Sequence, residues 1–335
     1  MSAVNLADKF NDVLGDAPSQ EASVKGWLST GFAPLNKILS GEYGGGIGYG
    51  RLYEIFGPSS SGKTVIATNL MIEAQRAGGV AIFVDYEQAF MKELAGKLGL
   101  DTKALIHIEP LTWEEGMKKG INVAERIREK DMIDKDAPIL MIADSIAAAV
   151  PKSVMEKEVD EHTMNDTTAL ARATSATLRV VVPRAKRADL TCVFLNQIRT
   201  KPGVVYGDPT TTPGGNSMEF YASGRISLGR KKNMVKDPND SKKKILESQT
   251  ITFKAVKSKH TRPFGETEMY FKFNTDGSGE FEVVRSLIKH LSDIGKIAKS
   301  GNYLVWTDGK KYYEKQLAER ILKDGLEEEL NNLLE

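Results

Sequence analysis

Eight consecutive residues carry chemistry that can be read directly from their types and spacing: Gly57-Pro58-Ser59-Ser60-Ser61-Gly62-Lys63-Thr64. The pattern is G-x-x-x-x-G-K-[ST], a phosphate-binding loop. Its glycines let the main chain turn so that several N–H groups face one point, and the helix that follows adds a field favouring anions. Lys63 supplies a point charge for the β- and γ-phosphates of a nucleotide, and the Thr64 hydroxyl is a Mg²⁺ ligand. Val65 continues the cradle as the next helical residue. An apolar run at 52–56 leads into the loop and a helical pattern at 63–76 leads out, which is the strand–loop–helix context the motif requires.

Two further acidic positions fit the same chemistry. Asp144 closes the apolar run 138–143, where a carboxylate can hold the water shell of Mg²⁺ beside the loop. By itself such an aspartate serves equally well as a helix cap; beside a phosphate loop it reads as the acid that helps hold the metal. Val84-Asp85-Tyr86-Glu87 ends another apolar run. This strand follows the 63–76 helix directly, so it can lie next to the phosphate-loop strand. A carboxylate there can orient or deprotonate the attacking water. Spacing does not choose between Asp85 and Glu87.

The elements that must position these groups alternate. Strand patterns at 52–56, 80–85, 106–108, 139–144, 191–196, 225–228, 249–257 and 268–273 are interleaved with helical patterns at 63–76, 90–98, 113–130 and 165–187. Such alternation predicts an α/β fold with a mainly parallel twisted sheet covered by helices on both faces, extended by later antiparallel strands. Three units are expected. Residues 1–30 hold a short amphipathic helix (4–14) and a linker, 31–279 the nucleotide-binding core, and 280–335 a small α+β unit. In that last unit, helices at 283–294 and 313–323 flank a strand pair within 303–312. A helix as short as 4–14 is marginal alone, so it packs either on its own core or on a neighbouring subunit. The net charge of +1 gives no general attraction for a polyanion, so any nucleic-acid surface must be local. The one cysteine, Cys192, lies in an apolar strand and reads as core; it permits no internal disulfide. The four histidines show no paired zinc spacing. Neither a signal-peptide core nor an apolar run of membrane-spanning length is evident, which points to the cytoplasm and to no membrane partner.

Beyond the phosphate loop the chain resembles bacterial and phage RecA-type recombinases over nearly its whole length. The stretches that carry the resemblance occur in one order: Ser29-Thr30-Gly31, Gly50-Arg51 through Thr64, Asp85-Tyr86-Glu87-Gln88-Ala89, Asp144-Ser145-Ile146-Ala147-Ala148, Phe194-Leu195-Asn196-Gln197-Ile198-Arg199, Gly203 to Pro209, Thr211 to Asn216, Phe220-Tyr221-Ala222-Ser223 and Lys257-Ser258-Lys259. The resemblance implies roles. Glu87 falls on the family's catalytic glutamate, and Gln197 on the glutamine that senses the γ-phosphate. Lys257 and Lys259 fall on the pair that reaches ATP on the adjacent subunit; Lys-Ser-Lys alone would read as a solvated strand edge.

Two segments match the DNA-binding loops, 155–166 with Met164, and 198–212 with Arg199, Val205 and Tyr206. Arg172 and Arg179, seven apart, share a helix face and can meet backbone phosphates. Gly214 and Gly215, followed by Asn216, let main-chain N–H groups approach a phosphate closely. Val205 and Tyr206 can insert between bases or stack on them, the plain alternative for Tyr206 being ordinary loop packing.

Departures from the family pattern concern the base of the nucleotide. Leu94 stands where the family has an adenine-stacking tyrosine, and Met91 where it has an acid, so Phe273 is the candidate aromatic face. Tyr206 replaces a phenylalanine. Residues 229–247 form a basic insertion, read as a solvated flexible hairpin or as an accessory DNA contact. The resemblance implies an ATP- and Mg²⁺-dependent, DNA-stimulated ATPase. Such a protein forms a helical filament on single-stranded DNA and pairs it with a homologous duplex, aided by a single-stranded-DNA-binding protein and a loader. The alternative is a hexameric helicase or motor on the same core.

Overall fold

A computed structural model describes residues 24–161, 166, 168–200, 210–236, 243–274 and 276–335. The 4–14 helix, Met164, Val205 and Tyr206 lie outside the described residues.

In chain order, β1 (Trp27–Leu28) and β2 (Ile47–Gly48) pair around α1 (Ala33–Ser40), and β3 (Leu52–Gly57) runs through the phosphate loop into α2 (Lys63–Arg76). There follow β4 (Val80–Asp85), α3 (Lys92–Lys97), β5 (Ile106–Ile108), α4 (Trp113–Glu129), β6 (Ile139–Asp144), α5 (Lys152–Met155), α6 (Ala169–Arg187) and β7 (Leu190–Gln197). The short antiparallel pair β8 (Arg199–Thr200) and β9 (Thr210–Thr211) precedes α7 (Ser217–Tyr221). The chain re-enters the sheet through β10 (Gly224–Lys236), β11 (Lys244–Ser258), β12 (Glu266–Phe273) and β13 (Gly279–Phe281). It ends in α8 (Val283–Asp293), β14 (Ala298–Ser300), β15 (Tyr303–Val305), β16 (Lys311–Tyr312), α9 (Glu314–Asp324) and α10 (Glu327–Asn332).

Among the described residues nine strands form one sheet in the order β13-β12-β11-β10-β3-β7-β6-β4-β5. From β10 to β5 neighbours are parallel, and from β10 to β13 antiparallel, as the alternation of patterns predicts. Period-two side chains divide the strands between two cores. Tyr53, Ile55, Phe83, Leu140, Ile142, Val193 and Leu195 meet α2 on one face. Leu52, Ile82, Val84, Met141, Cys192 and Phe194 meet α4 and α6 on the other. Cys192 is wholly buried, and burial pushes its thiol far above the usual range.

Three expectations need correction. The Asp85 strand is not beside the phosphate-loop strand: β7 and β6 lie between β3 and β4. That order leaves β3, β7 and β6 side by side, so Gly57, Gln197 and Asp144 emerge together at their carboxyl ends, where ligands bind in open α/β sheets. The strands expected at 225–228 and 249–257 are far longer, because the basic insertion continues the β10–β11 ladder out to Lys236↔Lys244. The final unit holds three strands, β14-β15-β16, rather than two; a three-residue strand leaves too few positions to show alternation.

Leu287, Ile288, Leu291, Leu317 and Ile321 of the C-terminal helices belong to the same buried cluster as Ile55 and Leu195. The last elements therefore share the core that backs the phosphate loop. Leu291→Ala, at a position with no exposed surface, is expected to cost about 2–5 kcal/mol. Urea unfolding should register the whole loss in one transition; a separate early transition would show that the two parts unfold independently.

Candidate nucleotide and DNA-binding sites

The loop after β3 is shaped by close packing. A Cβ on Gly57 would stand 2.8 Å from both the Leu228 carbonyl and Ser61 Oγ, so only glycine lets β10 run alongside. Ser60 and Gly62 adopt φ of 57° and 94°. This left-handed geometry turns successive N–H groups toward one hollow. α2 begins at Lys63 with no acid in its first turn. Lys63 Nζ donates to the carbonyls of Gly57 (3.2 Å) and Pro58 (2.9 Å), and burial lowers its pKa while Asp144 and Glu87 raise it.

Thr64 Oγ1 donates to Asp144 Oδ2 at 3.0 Å. Burial, followed by the charges of Glu87 and Asp85, pushes the Asp144 carboxyl up to about 7 against the Thr64 hydrogen bond and Lys63. A carboxylate so reluctant to ionise beside a hydroxyl is a donor pair that a divalent cation would stabilise, so these residues fit Mg²⁺. Glu87 Oε1 accepts from Ser145 Oγ at 2.5 Å and from Gln197 Nε2 at 3.5 Å.

The geometry separates the two acids of the 84–87 stretch. Glu87 lines the cavity with Lys63, Thr64, Val65, Asp144 and Gln197. Asp85 instead accepts from the Phe90 N–H at 3.1 Å and lies 3.5 Å from His107 Nε2. Ser59, Ser60 and Gly62 line the same cavity; Ser61 is buried behind them, and Gly57 and Pro58 lend carbonyls to Lys63. Phe273 lines it too, edge-on to Phe271 at 5.3 Å, whereas Leu94 and Met91 do not. Among the residues at this site that sequence reasoning missed are four polar ones, Ser145, Arg230, Lys232 and Gln249. Ser145 was legible only as the neighbour of Asp144. The other three come from the basic insertion and its partner strand, whose register no local signal reveals.

A second cleft, about 510 Å³, is lined by Arg172 and Arg179 of α6 together with Gly215 and Asn216. The seven-residue spacing thus places both arginines where the end of the second loop arrives. Gly214 and Gly215 are both closely packed: a Cβ on Gly215 would stand 3.0 Å from Ala171 Cβ, but Gly214 packs on a different element. A Cβ there would come 3.0 Å from Ile146 Cγ2, so this glycine packs the loop end against the segment after Asp144 and does not line the cleft. Arg199 pairs with Thr211 at the stem of the loop.

A buried network ties the two sites together. Glu54 on β3 has no exposed surface; it accepts from Arg225 Nε at 2.6 Å and from Asn196 Nδ2 at 2.9 Å. Asn196 Nδ2 also donates to the Pro213 carbonyl, and Asn196 Oδ1 accepts from the Gln197 N–H. Lys257 and Lys259 stand elsewhere. Lys257 Nζ donates to the Glu219 and Phe220 carbonyls, and neither lysine lines the cavity of its own phosphate loop.

Comparison with known proteins supplies the family. The family model described as the RecA N-terminal domain matches residues 13–277. The chain belongs to the RecA family. It is 34% identical to Protein RecA of Bacteroides thetaiotaomicron over 323 residues, 96% of this chain and 89% of that one. Protein RecA of Rickettsia bellii is 36% identical over 280 residues, covering 84% and 75%. That of Thermus aquaticus is 33% identical over 312 residues, covering 93% and 84%.

Within this RecA-type site the raised Asp144 pKa has a consequence for stability. The native state holds the Asp144 proton from about pH 4 to about 7 while the unfolded chain has released it, so this group makes stability fall as pH rises through that window. Asp144→Asn is expected to unfold with a smaller loss between pH 5 and pH 7 than the wild type in metal-free buffer. Equal losses would show that Asp144 ionises normally.

Proposed function

We propose that this RecA-family chain is an ATP-dependent homologous-recombination protein. It forms a helical filament on single-stranded DNA and catalyses homologous pairing and strand exchange, with DNA-stimulated ATP hydrolysis. One observation carries the reading: a single strand reaches both the nucleotide cavity and the end of the second loop. β7 delivers Gln197 to Glu87, and the preceding residue, Asn196, holds Pro213 at the end of the second loop.

Each group acts as its position allows. The loop N–H groups and Lys63 take the phosphates of ATP. Thr64 and Asp144 would hold Mg²⁺, which when bound supplies positive charge to the β- and γ-phosphate oxygens. Glu87 aligns water for attack; Ser145 fixes one of its oxygens, and Gln197 stands where the γ-phosphate can pull it. The Phe273 ring offers the base an apolar face.

Lys257 and Lys259 serve the neighbouring subunit, as charges stabilising the leaving phosphate. Nucleotide binding between subunits thereby couples filament growth to hydrolysis, and residues 1–30 supply a contact between subunits. Arg172, Arg179, Arg199, Gly215 and Asn216, with Met164, Val205 and Tyr206 from the two loops, grip DNA chiefly through phosphates and stacking, without reading sequence. A cytoplasmic setting, a single-stranded-DNA-binding protein and a loader complete the proposal; no helix among the described residues is long and apolar enough to cross a membrane.

The decisive measurement is ATP hydrolysis with and without single-stranded DNA, read alongside electron microscopy. Stimulation by DNA and open helical filaments are expected. Closed hexamers with directional unwinding would instead establish the helicase, which the family relationship does not favour. Glu87→Gln should keep nucleotide binding and lose about 10²–10⁴-fold in turnover. The double variant Lys257→Ala, Lys259→Ala should bind ATP yet lose DNA-stimulated hydrolysis. Full stimulation in that variant would place the trans charges elsewhere.

A further inference from the structure

The described root of the basic insertion lies against the phosphate loop. Arg230 Nη1 donates to the Ser60 carbonyl at 3.0 Å, at the tip of the phosphate loop. Leu228, two residues earlier on β10, closes against Gly57, and Ile251, its partner across the ladder from Arg230, would meet a Cβ on Gly62 at 2.7 Å. The root of the hairpin is thus packed against the loop at two glycines. Alternation along β10 then puts Arg230 and Lys232 on the cavity side with Gln249, and leaves Lys231 off it. The cavity holds Lys63, Arg230 and Lys232 against Glu87 and Asp144. That surplus of fixed positive charge suits a polyphosphate.

We propose that Arg230 is a ligand of the nucleotide's polyphosphate, supplied in cis by the insertion hairpin, which releases the Ser60 carbonyl when nucleotide enters. The proposal rests on the nucleotide-binding reading of the phosphate loop and adds to it a cation that the motif does not contain. A guanidinium suits the exchange. Its planar fork can give up one neutral carbonyl and take two phosphate oxygens, and charged pairs of that kind are roughly twice as strong as a neutral hydrogen bond. The insertion then acts on ATP, neither as a solvated arm nor as a DNA contact at this position.

The test is titration of DNA-free protein with a fluorescent Mg²⁺–ADP analogue, with KM for ATP read in parallel. Arg230→Ala is expected to weaken binding about tenfold, the worth of one charge-assisted hydrogen bond, and to raise KM with kcat little changed. Arg230→Gln keeps a donor for the Ser60 carbonyl but no charge, and should bind as weakly as Arg230→Ala. Arg230→Lys should recover most of the affinity, and Lys231→Ala should match the wild type. Wild-type affinity in Arg230→Gln but not in Arg230→Ala would reduce Arg230 to a brace for the loop and overturn the proposal. Unchanged nucleotide affinity with weakened duplex-DNA binding at low salt would overturn it in favour of a DNA contact. Absence of nucleotide binding in the wild type and in every variant alike would sink the phosphate-loop reading itself.

Discussion

A carboxylate without exposed surface sits in the middle of the sheet, and the two sites hang from it. Glu54 is flanked by Arg225 on one neighbouring strand and Asn196 on the other. Removing one member of a buried ion pair costs about 3–5 kcal/mol, yet the intact pair adds little over well-packed apolar residues. Its worth here is in register. Slipping β10 by one residue against β3 would turn Arg225 to the opposite face and strand Glu54. The same slip would move Leu228 away from Gly57, and with it the wall of the phosphate loop. Arg225 further reaches Glu219 and Thr212, so the strand pairing that shapes the nucleotide cavity also fixes the start of α7 and the end of the second loop.

From that anchor the route between ATP and DNA is short. Gln197 and Asn196 are adjacent on a strand, so they point to opposite sides of the sheet. The first meets Glu87 and the second holds Pro213. Gly214 then packs on Ile146, two residues from Asp144. A shift of β7 that drew Gln197 toward a γ-phosphate would be felt at Pro213 without crossing any flexible segment. Close-packed interiors pass such shifts on because they cannot absorb them.

Much of this was legible because it is local. The phosphate loop, the Asp144 strand and the two arginines seven apart are set by spacing within one element, and each stands where its pattern places it. What failed was pairing between distant elements. Nothing in the 80–85 strand says that β6 and β7 will separate it from β3, since strand order is decided by crossovers and by which faces bury best. The choice of Glu87 over Asp85 needed either the family resemblance or the sight of Asp85 turned toward Phe90 and His107. The freedom of the Gly214 backbone is legible in its residue type, but the close packing of its Cα on Ile146 is not.

The basic insertion shows most plainly why composition is a poor guide to a charged segment. Counted along the chain, its lysines and arginines form one cluster that invites a polyanion. Folded as a two-stranded ladder, consecutive cations face opposite sides, and only alternate ones share a surface. Arg230 and Lys232 are carried to the phosphate loop because Leu228 and Ile251 are already wedged against Gly57 and Gly62. The apolar residues at the root therefore decide what the charges beside them can touch. In a hairpin the parity of each position, set by burial several residues away, governs its electrostatic partner more than the number of like charges beside it in sequence.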